Sequence, residues 1–147
     1  MAKDKDRVRM YSLNPSNGKI KQLQAKEDVI SDYSIANQAF EMVYFGLSAS
    51  NSQRLYTYNL KNDASSCLID LSKEILRDVT LGEVQDWNFV SAQGDTIYGR
   101  FYLPPHFDAT KKYPMIVNYY GGTTPTARVM ESRYPSHVYA GLGYIVY

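Results

Sequence analysis

The stretch Tyr113-Pro114-Met115-Ile116-Val117-Asn118-Tyr119-Tyr120-Gly121-Gly122-Thr123-Thr124-Pro125 is an apolar run that ends abruptly in a pair of glycines. Pro114 lacks a backbone N–H and therefore belongs at the first positions of a strand. Residues 115–117 predict a strand buried on both faces, as in a parallel sheet. The glycines permit backbone geometry that other residues disfavour, so a loop follows the strand. The pattern thus places Tyr120 at the carboxyl end of a strand, where open α/β sheets bind their ligands.

Four segments together resemble a known family of peptidases. They are Lys112-Tyr113-Pro114 with the apolar strand, Tyr120-Gly121-Gly122, the downstream Gly141-Leu142-Gly143-Tyr144-Ile145-Val146, and the upstream Gly94-Asp95-Thr96-Ile97-Tyr98-Gly99-Arg100-Phe101-Tyr102-Leu103-Pro104-Pro105. These segments look like the opening of the catalytic domain of prolyl oligopeptidase and dipeptidyl-peptidase-IV-type serine peptidases. The resemblance covers residues 72–147. It implies hydrolysis of short peptides by acyl-enzyme chemistry, and proteolysis beside proline is common in the family.

Residues 1–71 show a repeating pattern of strands and polar turns. A hairpin is predicted over residues 7–24, and four strands follow at 29–35, 41–47, 54–60 and 66–69. Two tyrosine-bearing strands that enter polar turns lie about 46 residues apart, an interval that suits a four-stranded propeller blade. We therefore predict the outer half of one blade over 7–24 and a complete blade over 27–70. Because stacked neighbours supply a blade's second face, we expect these residues to belong to a longer propeller.

The predicted fold class is mostly β with an α/β start. Residues 1–71 form the carboxyl-terminal part of a β-propeller, 72–87 a linker, and 88–147 the truncated amino-terminal part of an α/β-hydrolase catalytic domain. Ser72 is predicted to cap a helical turn over 71–77. A hairpin is expected from residues 87–90 and 96–103.

The end of the chain predicts a helix followed by a strand. Pro135 suits the first position of a helix that runs to about Leu142, and Gly143 can end it. Residues 144–147 then begin another buried strand. Residues 123–134 form a loop whose course the sequence does not define, because Thr123-Thr124-Pro125 departs from the Gly-Gly-Pro pattern of the resembled family.

Composition and charge exclude several classes of function. The net charge is +1 and the basic residues are dispersed, which argues against a nucleic-acid partner. The single cysteine, Cys67, permits no internal disulfide. No apolar stretch is long enough to span a membrane, and the charged amino terminus lacks the apolar core of a signal peptide. Localisation is open: a periplasmic or secreted parent would carry its signal outside this chain.

Other residues with reactive side chains have simpler interpretations. Gly46-Leu47-Ser48-Ala49-Ser50 lacks the second glycine of a nucleophile elbow, so Ser48 is predicted to lie in a turn. His106 and His137 have no nucleophile in their sequence context and are predicted to be structural or solvated. Cys67, within a strand, is predicted to be a small buried hydrophobe. The sequence therefore predicts no nucleophile and no base in this chain, no metal-ligand spacing and no cofactor.

Tyr120 is the one candidate catalytic residue. A tyrosine beside two glycines can simply pack its ring over the loop. The resemblance instead implies that its neutral hydroxyl donates a hydrogen bond to the oxyanion of a tetrahedral intermediate. By strand alternation, Tyr119 is expected to face the opposite way.

Two further classes of function are compatible with the sequence. One is a β-rich, propeller-derived binding module without catalysis, and the other is an esterase-type α/β-hydrolase. The expected partner of the parent enzyme is a peptide substrate. The chain alone is expected to be inactive, and its unpaired apolar strands are expected to associate with further copies, as in a homo-oligomer.

Overall fold

The computed structural model describes residues 1–122, 126 and 128–147. Strands dominate the chain, which confirms the predicted fold class of a mostly β protein with an α/β portion. The elements are β1 (Ala2–Asp4), β2 (Arg7–Arg9), β3 (Tyr11–Leu13), β4 (Ile20–Gln22), β5 (Val29–Ile35), β6 (Glu41–Ser48), β7 (Asn51–Asn59), β8 (Ala64–Asp70), α1 (Ser72–Ile75), β9 (Val84–Val90), β10 (Thr96–Tyr102), β11 (Met115–Ile116), α2 (Ser136–Gly141) and β12 (Ile145–Val146). The first compact unit comprises residues 1–77 and 122–130, and the second comprises 78–121 and 131–147.

The first unit contains a six-stranded sheet in the order β1-β2-β5-β6-β7-β8. Strands β5 to β8 pair antiparallel in succession and correspond to the four predicted strands. The first strand of the hairpin predicted over 7–24 divides at the buried Met10. Its first part, β2, pairs with β1 and β5, whereas its second part, β3, forms a separate hairpin with β4.

Buried tyrosines hold the linker between β4 and β5 in place. Tyr44, Tyr56 and Tyr58 lie in the core of this unit, and the rings of Tyr44 and Tyr56 stack at 5.0 Å. The backbone N–H of Lys26 donates to the Tyr44 hydroxyl at 2.9 Å, and that of Gln24 donates to the Tyr58 hydroxyl at the same distance. The core tyrosines therefore supply apolar area and also satisfy backbone donors of the linker.

The Glu27 side chain reaches back onto the same sheet. Its carboxylate accepts hydrogen bonds from the Tyr56 hydroxyl and, at 3.0 Å, from Arg54. Glu27 adopts a left-handed backbone conformation with φ of 74°. A Cβ at Gly46 would lie 2.7 Å from Glu27 Cγ, so a glycine is needed where Glu27 crosses β6. Burial, with a contribution from the Glu27 carboxylate, raises the pKa of Tyr56.

The second unit contains a four-stranded sheet in the order β11-β12-β10-β9. Strands β9 and β10 form the predicted hairpin, and Gly94 takes a φ of 90° in its turn. Strand β12 pairs antiparallel with β10 and parallel with β11. This mixed sheet is the α/β portion of the chain.

Helix α2 packs on one face of this sheet. The His137 ring meets the Tyr102 ring edge-on at 5.0 Å, and Ala140 is fully buried. Pro135 is the residue before the first helical position, one residue away from the position predicted for it. Gly143 follows the helix with φ of 95° and donates its N–H to Ala140 O at 2.9 Å, as expected of a glycine that ends a helix.

Two predictions about burial and capping are wrong. Met115 and Val117 are 53 % and 58 % exposed, because among the described residues β11 has one neighbouring strand and lies at the edge of its sheet. Ser72 does not cap α1. It is the first helical residue, the N-cap position is Leu71, and the helix has no side-chain cap. The Ser72 N–H donates to Asp70 Oδ1 at 2.9 Å.

Candidate functional site

Tyr120 follows the parallel pair β11 and β12, as the sequence predicts. The hydrogen bonding continues past the strand, because Tyr147 N–H donates to Ile116 O at 2.9 Å and Asn118 N–H donates to Tyr147 O at 2.7 Å. Beyond Asn118 the chain leaves the ladder. Tyr119 and Tyr120 are 85 % and 68 % exposed. Since β11 ends at Ile116, strand alternation does not determine the directions of these two side chains.

The backbone at Gly121 is unstrained. Its φ lies outside the left-handed region, and a Cβ there would meet nothing within 4 Å among the described residues. The described backbone therefore does not itself require glycine at this position. Close approach of a bound molecule remains a reason for glycine in such a turn. The predicted loop at Thr123-Thr124-Pro125 lies outside the described residues.

A cavity of about 300 Å³ lies at the carboxyl ends of β11 and β12. Its lining carries no charged side chain and comprises Ile116, Val117, Asn118, Tyr134, Tyr139 and Val146. A mostly apolar surface with a few polar groups is typical of small-molecule sites. Sequence reasoning missed Tyr134 and Tyr139, because a single tyrosine on either side of the predicted start of a helix is not a motif.

Ser48 lies where the sequence predicts a turn. It is the last residue of β6, its hydroxyl donates to Asn51 Oδ1, and it accepts the Ser50 N–H at 3.2 Å. These local bonds occupy the hydroxyl within the β6–β7 turn. The prediction for Cys67 is wrong, because the thiol is exposed. Strand β8 is the outermost strand of its sheet, so no further strand covers it.

The two histidines are separate from Tyr120. His106 is exposed in a loop with φ of 58°, and His137 packs against Tyr102. Within the described part of the chain, Tyr120 makes no hydrogen bond or ring contact with either. The described residues also contain no group of three or more His, Cys, Asp or Glu that could hold a metal ion. None of the helices described is long and apolar enough to cross a membrane.

The chain is similar in sequence to curated dipeptidyl peptidases, although no family model matches it. It is 29 % identical over 138 residues to dipeptidyl-peptidase 5 of Porphyromonas gingivalis. This match covers 93 % of this chain and 20 % of that protein. It is 31 % identical over 87 residues to dipeptidyl peptidase 4 of Bos taurus, with coverage of 56 % and 11 %. The chain thus spans at most a fifth of the length of these relatives.

A solved structure shares the fold. Acylaminoacyl peptidase of Pyrococcus horikoshii superposes with a TM-score of 0.69 at 18 % identity, over 88 % of this chain and 20 % of that one. The two sequence relatives are peptidases by name, and the structural neighbour shares the fold over 88 % of this chain. In sequence this chain therefore resembles dipeptidyl peptidases, and in fold it resembles a chain of an acylaminoacyl peptidase.

Proposed function

We propose that this chain is part of a serine-type peptidase that hydrolyses short peptides through an acyl-enzyme. Residues 1–71 would contribute the last part of a β-propeller, 72–87 a linker, and 88–147 the start of an α/β-hydrolase domain. In this proposal the catalytic serine, the acid and the histidine come from outside the chain. The sequence similarity to two dipeptidyl peptidases supports the choice of a peptidase over an esterase.

The packing of β5 to β8 supports the assignment of a propeller blade. One face of this sheet carries the tyrosine core, whereas Val43 lies on the other face and is exposed. Phe45 and Leu55 are paired across β6 and β7 on that same face and are only half-buried. A second apolar face of this kind is what a stacked neighbouring blade would cover.

Tyr120 is the proposed oxyanion donor. The observation that carries this proposal is its position, two residues beyond the last hydrogen bond of a parallel strand, with an exposed side chain. A hydroxyl at the carboxyl end of such a strand can meet a substrate bound outside the sheet. A donor that is aimed at the developing oxyanion stabilises the transition state more than the ground state.

The test is Tyr120→Phe in the longer enzyme that the proposal implies. The substitution keeps the ring and removes only the hydroxyl, so kcat is expected to fall by about 10²- to 10³-fold, or roughly 3 to 4 kcal/mol, while KM changes little. Tyr119→Phe is the matched control. The proposal gives the Tyr119 hydroxyl no role, so the same chemical change one residue earlier should have almost no effect on kcat. Equal effects at the two tyrosines would remove the argument for an oxyanion role.

The 147-residue chain supplies a second test. Without a nucleophile it cannot form an acyl-enzyme, so a chromogenic dipeptide should not be turned over and a serine-directed phosphonate should not label the chain. Labelling at Ser48 would contradict the proposal that the nucleophile comes from elsewhere.

A further inference from the structure

The described residues 128–130 belong to the first unit, although the chain from residue 131 onward belongs to the second. Arg128 makes the contacts. It is 7 % exposed, and its backbone N–H donates to Asp6 O at 2.9 Å. Its Nε donates to Asp6 Oδ2 at 3.1 Å and lies 3.8 Å from Asp28 Oδ2. Main chain and side chain of Arg128 are therefore fixed at the same place, the turn between β1 and β2.

Two carboxylates and two guanidinium groups lie around this contact in the described part of the chain. Asp28 Oδ1 also accepts a hydrogen bond from Arg7 Nε at 2.9 Å, and Arg7 lies 3.8 Å from Asp6 Oδ1. Two carboxylates thus face two guanidinium groups. Removing a guanidinium group from water is costly unless it is paired, so the buried position of Arg128 depends on these carboxylates.

Apolar packing is the competing explanation for the position of this segment. Val129 and Met130, next to Arg128, are half-buried and could hold the chain without any charge. The two explanations differ in their response to salt. Ionic contacts that are partly exposed, as those of Asp6 and Asp28 are, weaken with ionic strength, whereas apolar contacts do not.

We propose that Arg128 is an ionic anchor that keeps residues 128–130 attached to the β1–β2 turn and to Asp28, and that screening or neutralising these carboxylates detaches this segment. The anchor is independent of the peptidase proposal, because it requires neither Tyr120 nor a substrate. It makes the position of residues 128–130 sensitive to ionic strength.

Hydrogen–deuterium exchange of the 147-residue chain, read by mass spectrometry, tests the anchor. Asp6→Asn removes one charge but leaves the backbone carbonyl of residue 6, which accepts the Arg128 N–H. Faster exchange of the Arg128 amide in this variant therefore reports detachment of the segment. We expect the Arg128 amide to exchange about tenfold faster, which corresponds to roughly 1.4 kcal/mol. Wild-type protein in 1 M sodium chloride, where the Debye length is about 3 Å, should change in the same direction.

Two controls separate detachment from unfolding. Amides of β6 and β7 should keep their protection in the variant, and Asp4→Asn, in the exposed strand β1, should leave Arg128 unchanged. If Asp6→Asn unfolds the chain, the proposal is tested by the salt dependence of Arg128 amide exchange in the wild-type protein. Protection of Arg128 that does not respond to salt would show that packing of Val129 and Met130 holds the segment, and would overturn the proposal.

Discussion

Gly99→Ala is expected to destabilise the second unit because Tyr147 occupies the space where a side chain would lie. Gly99 pairs with Trp87 across β9 and β10. A Cβ at Gly99 would lie 2.2 Å from the Tyr147 hydroxyl oxygen and 2.4 Å from two ring carbons, far closer than atoms pack. The ring of Tyr147 must therefore move. The centroid of this ring lies 5.2 Å from that of Trp87 and 5.1 Å from that of Phe101.

The expected cost follows from these contacts. Overpacking costs about 1 to 3 kcal/mol, and two displaced aromatic contacts are each worth about 0.5 to 1.5 kcal/mol. Because moving Tyr147 relieves part of the overpacking, we expect a loss of about 2 to 4 kcal/mol in the free energy of unfolding. Urea unfolding followed by fluorescence measures it, since Trp87 is the single tryptophan of the chain and lies in this cluster. With a slope of about 2 kcal/mol per molar urea, the midpoint should shift by roughly 1 to 2 M.

Three variants serve as controls. Gly121→Ala should leave the midpoint unchanged, because a Cβ there meets nothing within 4 Å in the part of the chain that the structure describes. Tyr147→Phe should be close to neutral, since the Tyr147 hydroxyl is buried and has no hydrogen-bond partner among the described residues. On a Tyr147→Leu background, Gly99→Ala should cost much less, which is the non-additivity expected of two residues in contact. An equal cost on both backgrounds would refute the reasoning.

Two further predictions concern the tyrosine core. Burial raises the pKa of Tyr44, and burial together with Glu27 raises that of Tyr56, so at alkaline pH the unfolded phenols ionise first. Stability should be fully present below about pH 10 and should then fall as the pH rises, by about 1.4 kcal/mol per pH unit for each tyrosine. Urea midpoints between about pH 9 and about pH 11.5 measure how steeply stability falls with pH. This fall should be shallower in Tyr56→Phe, and an unchanged fall would contradict the raised pKa of Tyr56. Tyr44→Phe should cost about 1 to 2 kcal/mol, because it leaves the Lys26 N–H without its acceptor. Tyr58→Phe should cost less, because the Gln24 N–H also donates to Asp63 Oδ1 at 3.3 Å. Thermal unfolding of the two variants measures both costs, and a larger loss in Tyr58→Phe than in Tyr44→Phe would contradict this explanation.

Local sequence patterns determined the strands and turns of this protein. Alternation of apolar and polar residues predicted the four strands that became β5 to β8, and Gly94 and Gly143 adopt the left-handed conformations that a hairpin turn and a helix end require. The position of Tyr120 beyond a parallel strand followed in the same way from Pro114, the apolar run and the glycine pair. These features depend on residues close together in sequence, so the sequence alone is sufficient for them.

Only the tertiary structure decided which surfaces are buried and which charges meet. Cys67 and Met115 look like core residues in their own strands, but burial depends on neighbouring strands, and β8 and β11 lie at sheet edges. Glu27 reaches Arg54 across the sheet, and Arg128 meets Asp6 from 122 positions along the chain. Periodicity describes one element at a time. Pairing between distant residues depends on how the elements are assembled, and for that reason no local pattern predicted these contacts.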